Sequence, residues 1–243
     1  MMKNLYRLSF PMFVLMLATC ISAVPARAFK ASLAQMPVYA ESDTKGILVD
    51  FVKAISKVSG EPVEIHVVPF KRSIYNVTSG QADCHIPLIA NPNADIATLP
   101  YDYAKETIFH VNFILYTHKD KPLDINKIDQ HIIETDAAHT PYFHDNIIPS
   151  SSTESSLKKV NIGRIDGFIF ADDVSDPFIR ELKLTNIKRQ LYKRFDVKIV
   201  IPKGSSGKSF DQFLSDSINK LRANGQFDAI MKETDHPYDD WQP

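Results

Sequence analysis

The chain has 243 residues, 44% of them hydrophobic, with 28 Lys+Arg against 29 Asp+Glu and a net charge of −1. That length accommodates one large domain or two lobes of about 100 residues each. No basic stripe gathers enough charge to track phosphates, which excludes a nucleic-acid partner.

Residues 1–28 carry Lys3 and Arg7, an apolar run from Leu8 to Val24, and then Ala26-Arg27-Ala28. These read as the charged, apolar and processing regions of an export signal cut after Ala28. A membrane anchor is the competing reading, but Ser9, Pro11, Thr19 and Ser22 dilute the run, and no 18-residue apolar span survives. Leu17-Ala18-Thr19-Cys20 fits a lipoprotein processing box poorly, so no lipid anchor at Cys20 is expected. Cleavage leaves 215 residues, a net charge of −4 and Cys84 as the single thiol. With no disulfide available, stability has to come from an apolar core.

Ala31–Gln35 reads as a short strand, broken by Pro37. From Ile47, the residues Leu48, Phe51, Val52, Ile55 and Val58 recur at helical spacing up to a stop at Gly60. Val63–Val67 alternates as a strand, Arg72–Ser79 is a short helix closed by Gly80, and Cys84–Ile89 is a third strand. Such alternation of strand and helix builds a parallel sheet with helices on its faces. His110–His118 and Phe195–Ile201 are two further strands. Between them the pattern resumes, with a strand at Ile132–Glu134 and a helix starting after Thr140. A second helix runs through Val160, capped from Ser152, Thr153 or Ser155, and a strand follows at Ile165–Phe170. The last predicted element is an amphipathic helix with Phe210, Phe213, Leu214, Ile218 and Leu221 on one face, ended by Gly225.

The predicted organisation is therefore two α/β lobes joined by two extended strands, with separate sheets and a cleft between them. Residues 29–112 plus 203–243 form the first lobe and 113–202 the second. A chain that crosses twice makes a hinge, and the cleft is the default ligand site.

Three segments carry a resemblance: Gly46-x3-Asp50-Phe51-x2-Ala54-Ile55, Ser79-Gly80-Gln81-Ala82-Asp83, and Gly163-Arg164-Ile165-Asp166-Gly167. In this order, behind an export signal, they resemble the family 3 bacterial extracellular solute-binding proteins, the type II periplasmic binding proteins that include polar amino-acid receptors. The resemblance implies an α/β fold of two lobes, each a mostly parallel sheet with flanking helices, joined by two hinge strands and closing on a small solute. It further implies a periplasmic monomer with no cofactor, delivering its solute to an inner-membrane permease of the ABC type. Receptors of that family clamp the ligand carboxylate with an arginine, whose counterpart here is Asp95, and no arginine occurs from Ser73 to Gly163. Their aspartate for the ligand's amino group corresponds to Ala171, with Asp172 and Asp173 following. A bidentate guanidinium is not replaceable by a carboxylate, so the expected ligand is a small polar solute other than an ordinary α-amino acid.

Candidate contacts follow. Arg72 lies at the carboxyl end of a strand, where open α/β sheets bind ligands; it is either a substitute clamp or a solvated surface arginine. The resemblance places Tyr39 as an aromatic wall. Tyr101 and Tyr103 offer hydroxyl and ring contacts, one of them serving the core instead. His139 and Thr140 precede an expected helix start, where free N–H groups favour an anion. Asp172 is the shifted partner for an amino group, with a surface turn as its rival. His85, His110, His139 and His144 lack metal-ligand spacing. A sensory role, docking onto a membrane signalling protein, and a periplasmic dehydratase are the alternative functions. The latter needs a poised carboxylic acid, and Glu106, Glu134 and Asp136 show no companion base in the sequence.

Overall fold

The computed structural model describes residues 28–143 and 147–243. The expected export signal, apart from Ala28, and His144 lie outside the described residues. The first five elements follow the predicted order: β1 (Phe29–Ala34), α1 (Ile47–Ser59), β2 (Val63–Val68), α2 (Phe70–Thr78) and β3 (Cys84–Ile89). Helix α1 sinks Leu48, Val49, Phe51, Val52 and Ile55 into the core and ends where Gly60 turns left-handed, with its N–H on the Ser56 carbonyl. Its start is fixed by close approach. Gly46 has φ 135°, and a Cβ there would lie 2.5 Å from the Tyr39 carbonyl oxygen. The amide of Leu48 donates to that same carbonyl at 2.9 Å, which clamps the Tyr39 loop onto the helix N-terminus.

The chain continues through β4 (Tyr101–His118), β5 (Ile133–Asp136), β6 (Ile148–Ser150), α3 (Thr153–Asn161), β7 (Gly167–Ala171), α4 (Asp172–Glu181), β8 (Ile187–Pro202), α5 (Ser209–Ala223) and α6 (Gln226–Met231). Strand β4 starts nine residues before its predicted His110. Register shifts between Tyr103, Thr107 and Phe109 break the alternation that would have revealed it. The first half of β8 is hidden in the sequence by Lys188, Arg189, Lys193 and Arg194. The helix expected after Thr140 is a single 3-10 turn, Thr140–Tyr142, with Pro141 inside it. Ser152 caps α3 by accepting from the Ser155 amide. Helix α4, which carries Pro177 in its interior, is absent from the sequence reading.

The strands form one hydrogen-bonded sheet in the order β2-β1-β3-β8-β4-β7-β5-β6, not two separate sheets as expected. The reason is the length of the shared ribbon. Strands β4 and β8, of 18 and 16 residues, pair antiparallel from Tyr101–Pro202 to His118–Ile187 and belong to both halves. Parallel β1, β2 and β3 attach to one end of this ribbon, and parallel β5, β6 and β7 to the other. Two lobes nonetheless exist, because the buried residues fall into two large cores. One gathers β1, α1, α5 and α6 around Leu33, Phe51, Ile108 and Ile199. The other gathers α3, β7 and α4 around Phe113, Leu157, Phe168 and Ile179. Ile89 and Val111 pack against both.

Two boundaries of the sequence reading shift. Val197, Ile199 and Ile201 belong to the first core, so β8 crosses between Phe195 and Val197 rather than at 202. The last residues also leave the first lobe, since Tyr238 and Trp241 pack on the second core. There the fully buried guanidinium of Arg189 pairs with Asp176 at 2.6 Å and donates to the carbonyls of Asp239 and Trp241. It also stacks 4.4 Å from the Trp241 ring centroid. The described residues thus pass between lobes three times: in β4, in β8 and in this tail. Among the described residues no helix is long and apolar enough to cross a membrane.

Candidate solute-binding cleft

A cavity of about 480 Å3 opens between the two cores. The first lobe contributes Met36 and Tyr39 from the clamped loop, Phe70 from the start of α2, Leu88 from β3 and Phe109 from β4. The second contributes Phe113 from β4, His139 and Tyr142 from the segment after β5, Phe170 from the end of β7 and Asp173 from the start of α4. Most of these residues stand at the carboxyl ends of parallel strands or just beyond them, where the fold leaves a crevice.

The walls are aromatic and mutually braced. Tyr39 stacks on Phe109 with centroids 5.7 Å apart, and Phe113 meets Phe195 at 4.7 Å and Phe170 at 5.6 Å. The His139 ring lies 5.1 Å from Phe170 and 5.3 Å from Tyr142, and its Nδ1 donates to Asp136 at 2.9 Å. Among the described residues four hydrogen bonds join the lobes around the cavity. The Tyr39 hydroxyl donates to Asp173 at 3.1 Å, the Tyr142 hydroxyl to the Ile89 carbonyl at 3.0 Å, Asn91 to the Pro141 carbonyl at 2.9 Å, and Asn93 to the Tyr142 carbonyl at 2.7 Å.

Loss of hydration raises the pKa of Asp173 above the usual carboxylate range, against the lowering effect of the Tyr39 hydrogen bond. Burial likewise raises that of Asp172, helped by the charges of Asp173 and Asp176 and opposed by the amide of Asn112. The Tyr39 hydroxyl is held protonated by burial and by the neighbouring Asp173 charge. Among the described residues no group of three or more His, Cys, Asp and Glu side chains converges to hold a metal ion.

No protein-family model matches the sequence, and no curated protein matches it significantly. Solved structures do match. The sensor domain of a histidine kinase, described as similar to periplasmic binding proteins, aligns over 86% of this chain and 96% of its own, with a TM-score of 0.61 at 17% identity. The chain has the periplasmic-binding-protein fold. The GluR0 ligand-binding core from Nostoc punctiforme in complex with L-glutamate covers 84% of this chain and 98% of its own, at a TM-score of 0.60 and 13% identity. ArtJ, the arginine-, lysine-, histidine-binding protein of Geobacillus stearothermophilus, covers 85% and 94%, at 0.57 and 14%. These neighbours are of the kind to which the three sequence segments pointed.

Within this periplasmic-binding-protein fold, two of the seven predicted contacts, Tyr39 and His139, line the cavity. Arg72 does not. Its guanidinium lies over the Tyr75 ring at 5.3 Å and reaches Gln81 at 3.4 Å, because α2 turns Ser73 and Val77 inward and leaves Arg72 exposed. Tyr101 and Tyr103 meet edge to face at 5.5 Å, beside a small cluster around Val200 and off the cavity wall. Thr140 gives its hydroxyl to the Ala137 carbonyl within the turn. Asp172 accepts from Asn112 at 3.1 Å and from the Asp173 amide at 2.9 Å, and the next residue takes the cleft-facing place.

The residues missed by the sequence reading are chiefly aromatic: Phe70, Phe109, Phe113, Tyr142 and Phe170. Phe170 carried a usable signal, since it closes a strand at the edge where ligands bind. The apolar lining fits the expected polar solute poorly. The carboxylates considered for acid catalysis are engaged elsewhere: Glu106 with Arg222, Glu134 with Lys159 and Ser156, and Asp136 with His139.

Proposed function

We propose that this protein is an exported, monomeric solute-binding protein that captures a small molecule between its lobes in the periplasm and presents the closed form to an inner-membrane importer of the ABC type. The observation that supports it most is the cavity itself, enclosed by two independently cored lobes, bridged by four lobe-to-lobe hydrogen bonds and backed by a ribbon on which they swing. A solute filling the cavity touches both lobes only when they are closed. Its differential affinity therefore drives closure, and the closed outline is what a membrane partner reads.

The neighbours also support a second reading, a ligand-sensing domain that docks onto a membrane signalling protein. They include a histidine-kinase sensor domain and the VFT2 domain of Bordetella pertussis BvgS, as well as a substrate-binding protein of an amino-acid ABC transporter. A thermal-shift screen over amines, organic acids, amino acids and short peptides tests the property common to both. At 100 times its Kd a cognate solute adds about 2.7 kcal/mol, enough to raise the melting temperature by about 5 °C or more in a chain of this size. A library in which no solute raises it overturns the proposal. Pull-down of a permease or of a kinase by the liganded form decides between the partners.

A further inference from the structure

The cleft carries a donor–acceptor asymmetry that narrows its ligand, and the inference rests on the solute-binding reading above. Among the described residues no lysine or arginine lines the cavity. Apart from the acceptor Asp173, each polar side chain described on its wall already donates a hydrogen bond within the protein: Tyr39 to Asp173, Tyr142 to the Ile89 carbonyl and His139 Nδ1 to Asp136. What remains toward a ligand is acceptor capacity, namely the Asp173 carboxylate, the lone pairs of two phenols and, in the neutral ring, His139 Nε2. The start of α4 would otherwise attract an anion, but its first amides are taken up by the two aspartates at that end. A ligand carboxylate would thus meet Asp173 and, among the described side chains of the wall, no free donor to satisfy it, at the cost of burying a poorly paired charge.

We infer that the cleft selects an aromatic amine lacking a carboxylate. Its ring lies among Phe70, Phe109, Phe113 and Phe170, and its ammonium faces Asp173 and the surrounding π-faces. The cavity of about 480 Å3 is roomy enough for one or two fused rings with a short chain. Ammonium recognition by a carboxylate and aromatic faces accounts for the missing guanidinium, since the ligand has no group for an arginine to clamp.

The test is calorimetric titration of the purified protein with two matched sets of probes. One set is 2-phenylethylamine, 3-phenylpropionate and phenylalanine; the other is tryptamine, indole-3-propionate and tryptophan. The rings and chains match within each set and only the charged head changes. The expected result is binding of at least one amine, at least tenfold tighter than the matching amino acid, with no measurable binding of the acids. The Asp173→Asn variant should lose at least tenfold in amine affinity while melting within about 2 °C of the parent, because its side chain still accepts from Tyr39. Equal or tighter binding of an acid or amino acid overturns the inference, as does an Asp173→Asn variant that holds the amine unchanged. If both amines fail while some other solute in the thermal-shift library binds, the ligand class is wrong and the solute-binding reading stands. If nothing binds at all, both fall.

Discussion

The Tyr39 hydroxyl donates a hydrogen bond to Asp173 across the gap between lobes, while its ring stays stacked on Phe109. A Tyr39→Phe substitution therefore removes one cross-lobe bond and keeps the apolar wall. A hydrogen bond to a carboxylate at a solvent-reached site contributes about 1 kcal/mol net, so solute affinity should fall roughly fivefold, with the melting temperature nearly unchanged; titration of the variant with the best-binding library solute measures it. Arg72 is expected to behave in the opposite way. With its guanidinium on Tyr75 and Gln81, Arg72→Ala should leave affinity within about twofold, and a tenfold loss would place the side chain in the cleft after all. Position along the chain did not separate these two residues, for both follow strands. What separates them is helical phase: α2 buries its fourth and eighth residues, Ser73 and Val77, so its third faces solvent. The phase follows from where the helix starts, and Pro69 at its N-cap placed that start two residues before the predicted one.

Among the elements, those with clean periodicity were legible. Helix α1 buries one face, β2 alternates half-buried with exposed residues over Val63–His66, and β3 is buried along nearly its whole length, and their apolar residues show it. Strand β8 was legible only in its second half, because its first half carries charges that the tertiary structure uses. The clearest case is Arg189, at 2% exposure the largest of the fully buried side chains. No sequence pattern announces that it will be enclosed by Asp176 of α4, by the Trp241 ring and by two tail carbonyls. The same cluster explains why α4 tolerates Pro177, since Asp176 anchors the helix to β8 and to the Tyr116 hydroxyl at 2.9 Å. Asp176→Ala would strand a guanidinium in the interior. Removing one member of a buried ion pair costs about 3–5 kcal/mol, so urea denaturation of the variant should show a loss of that order, far beyond a surface substitution. The remaining carbonyl bonds to Arg189 favour the lower end, and a loss below about 1 kcal/mol would mean that the tail does not enclose Arg189 in solution.

For the whole molecule, acid acts on the two lobes with opposite signs. His85, in β3 of the first lobe, is fully buried, with Nδ1 on the Ser73 hydroxyl at 2.6 Å and no partner for Nε2 among the described residues. Burial lowers its pKa from 6.5 to about 4, against the raising effect of the Pro87 backbone. The folded protein therefore refuses a proton that the unfolded chain takes up below about pH 6.5. Stability from this residue is complete above that pH and is lost as pH falls toward 4, by about 3 kcal/mol in all. At the seam, Asp172 and Asp173 have raised pKa values, so they hold protons in the fold that the unfolded chain has already released. Their cost is borne at neutral pH and relieved as pH falls through the raised values. The groups facing Asp173 are Tyr39, Asp172 and His236, and those facing Asp172 are Asn112, Asp173 and Asp176. A bare pH–stability curve mixes the two effects, and a variant separates them. His85→Gln keeps a side chain able to bond Ser73 but does not titrate. Urea unfolding at pH 7.5 and 4.5 should show the parent losing about 2–3 kcal/mol more than the variant over that interval. Parallel losses in the two proteins would mean that His85 takes up its proton in the folded state, and that the first lobe admits water along β3. With His85 silenced, the remaining slope sets the raised carboxylates of the seam against the lowered carboxyl of Asp102, and its sign should reverse the parent's if the paired aspartates dominate.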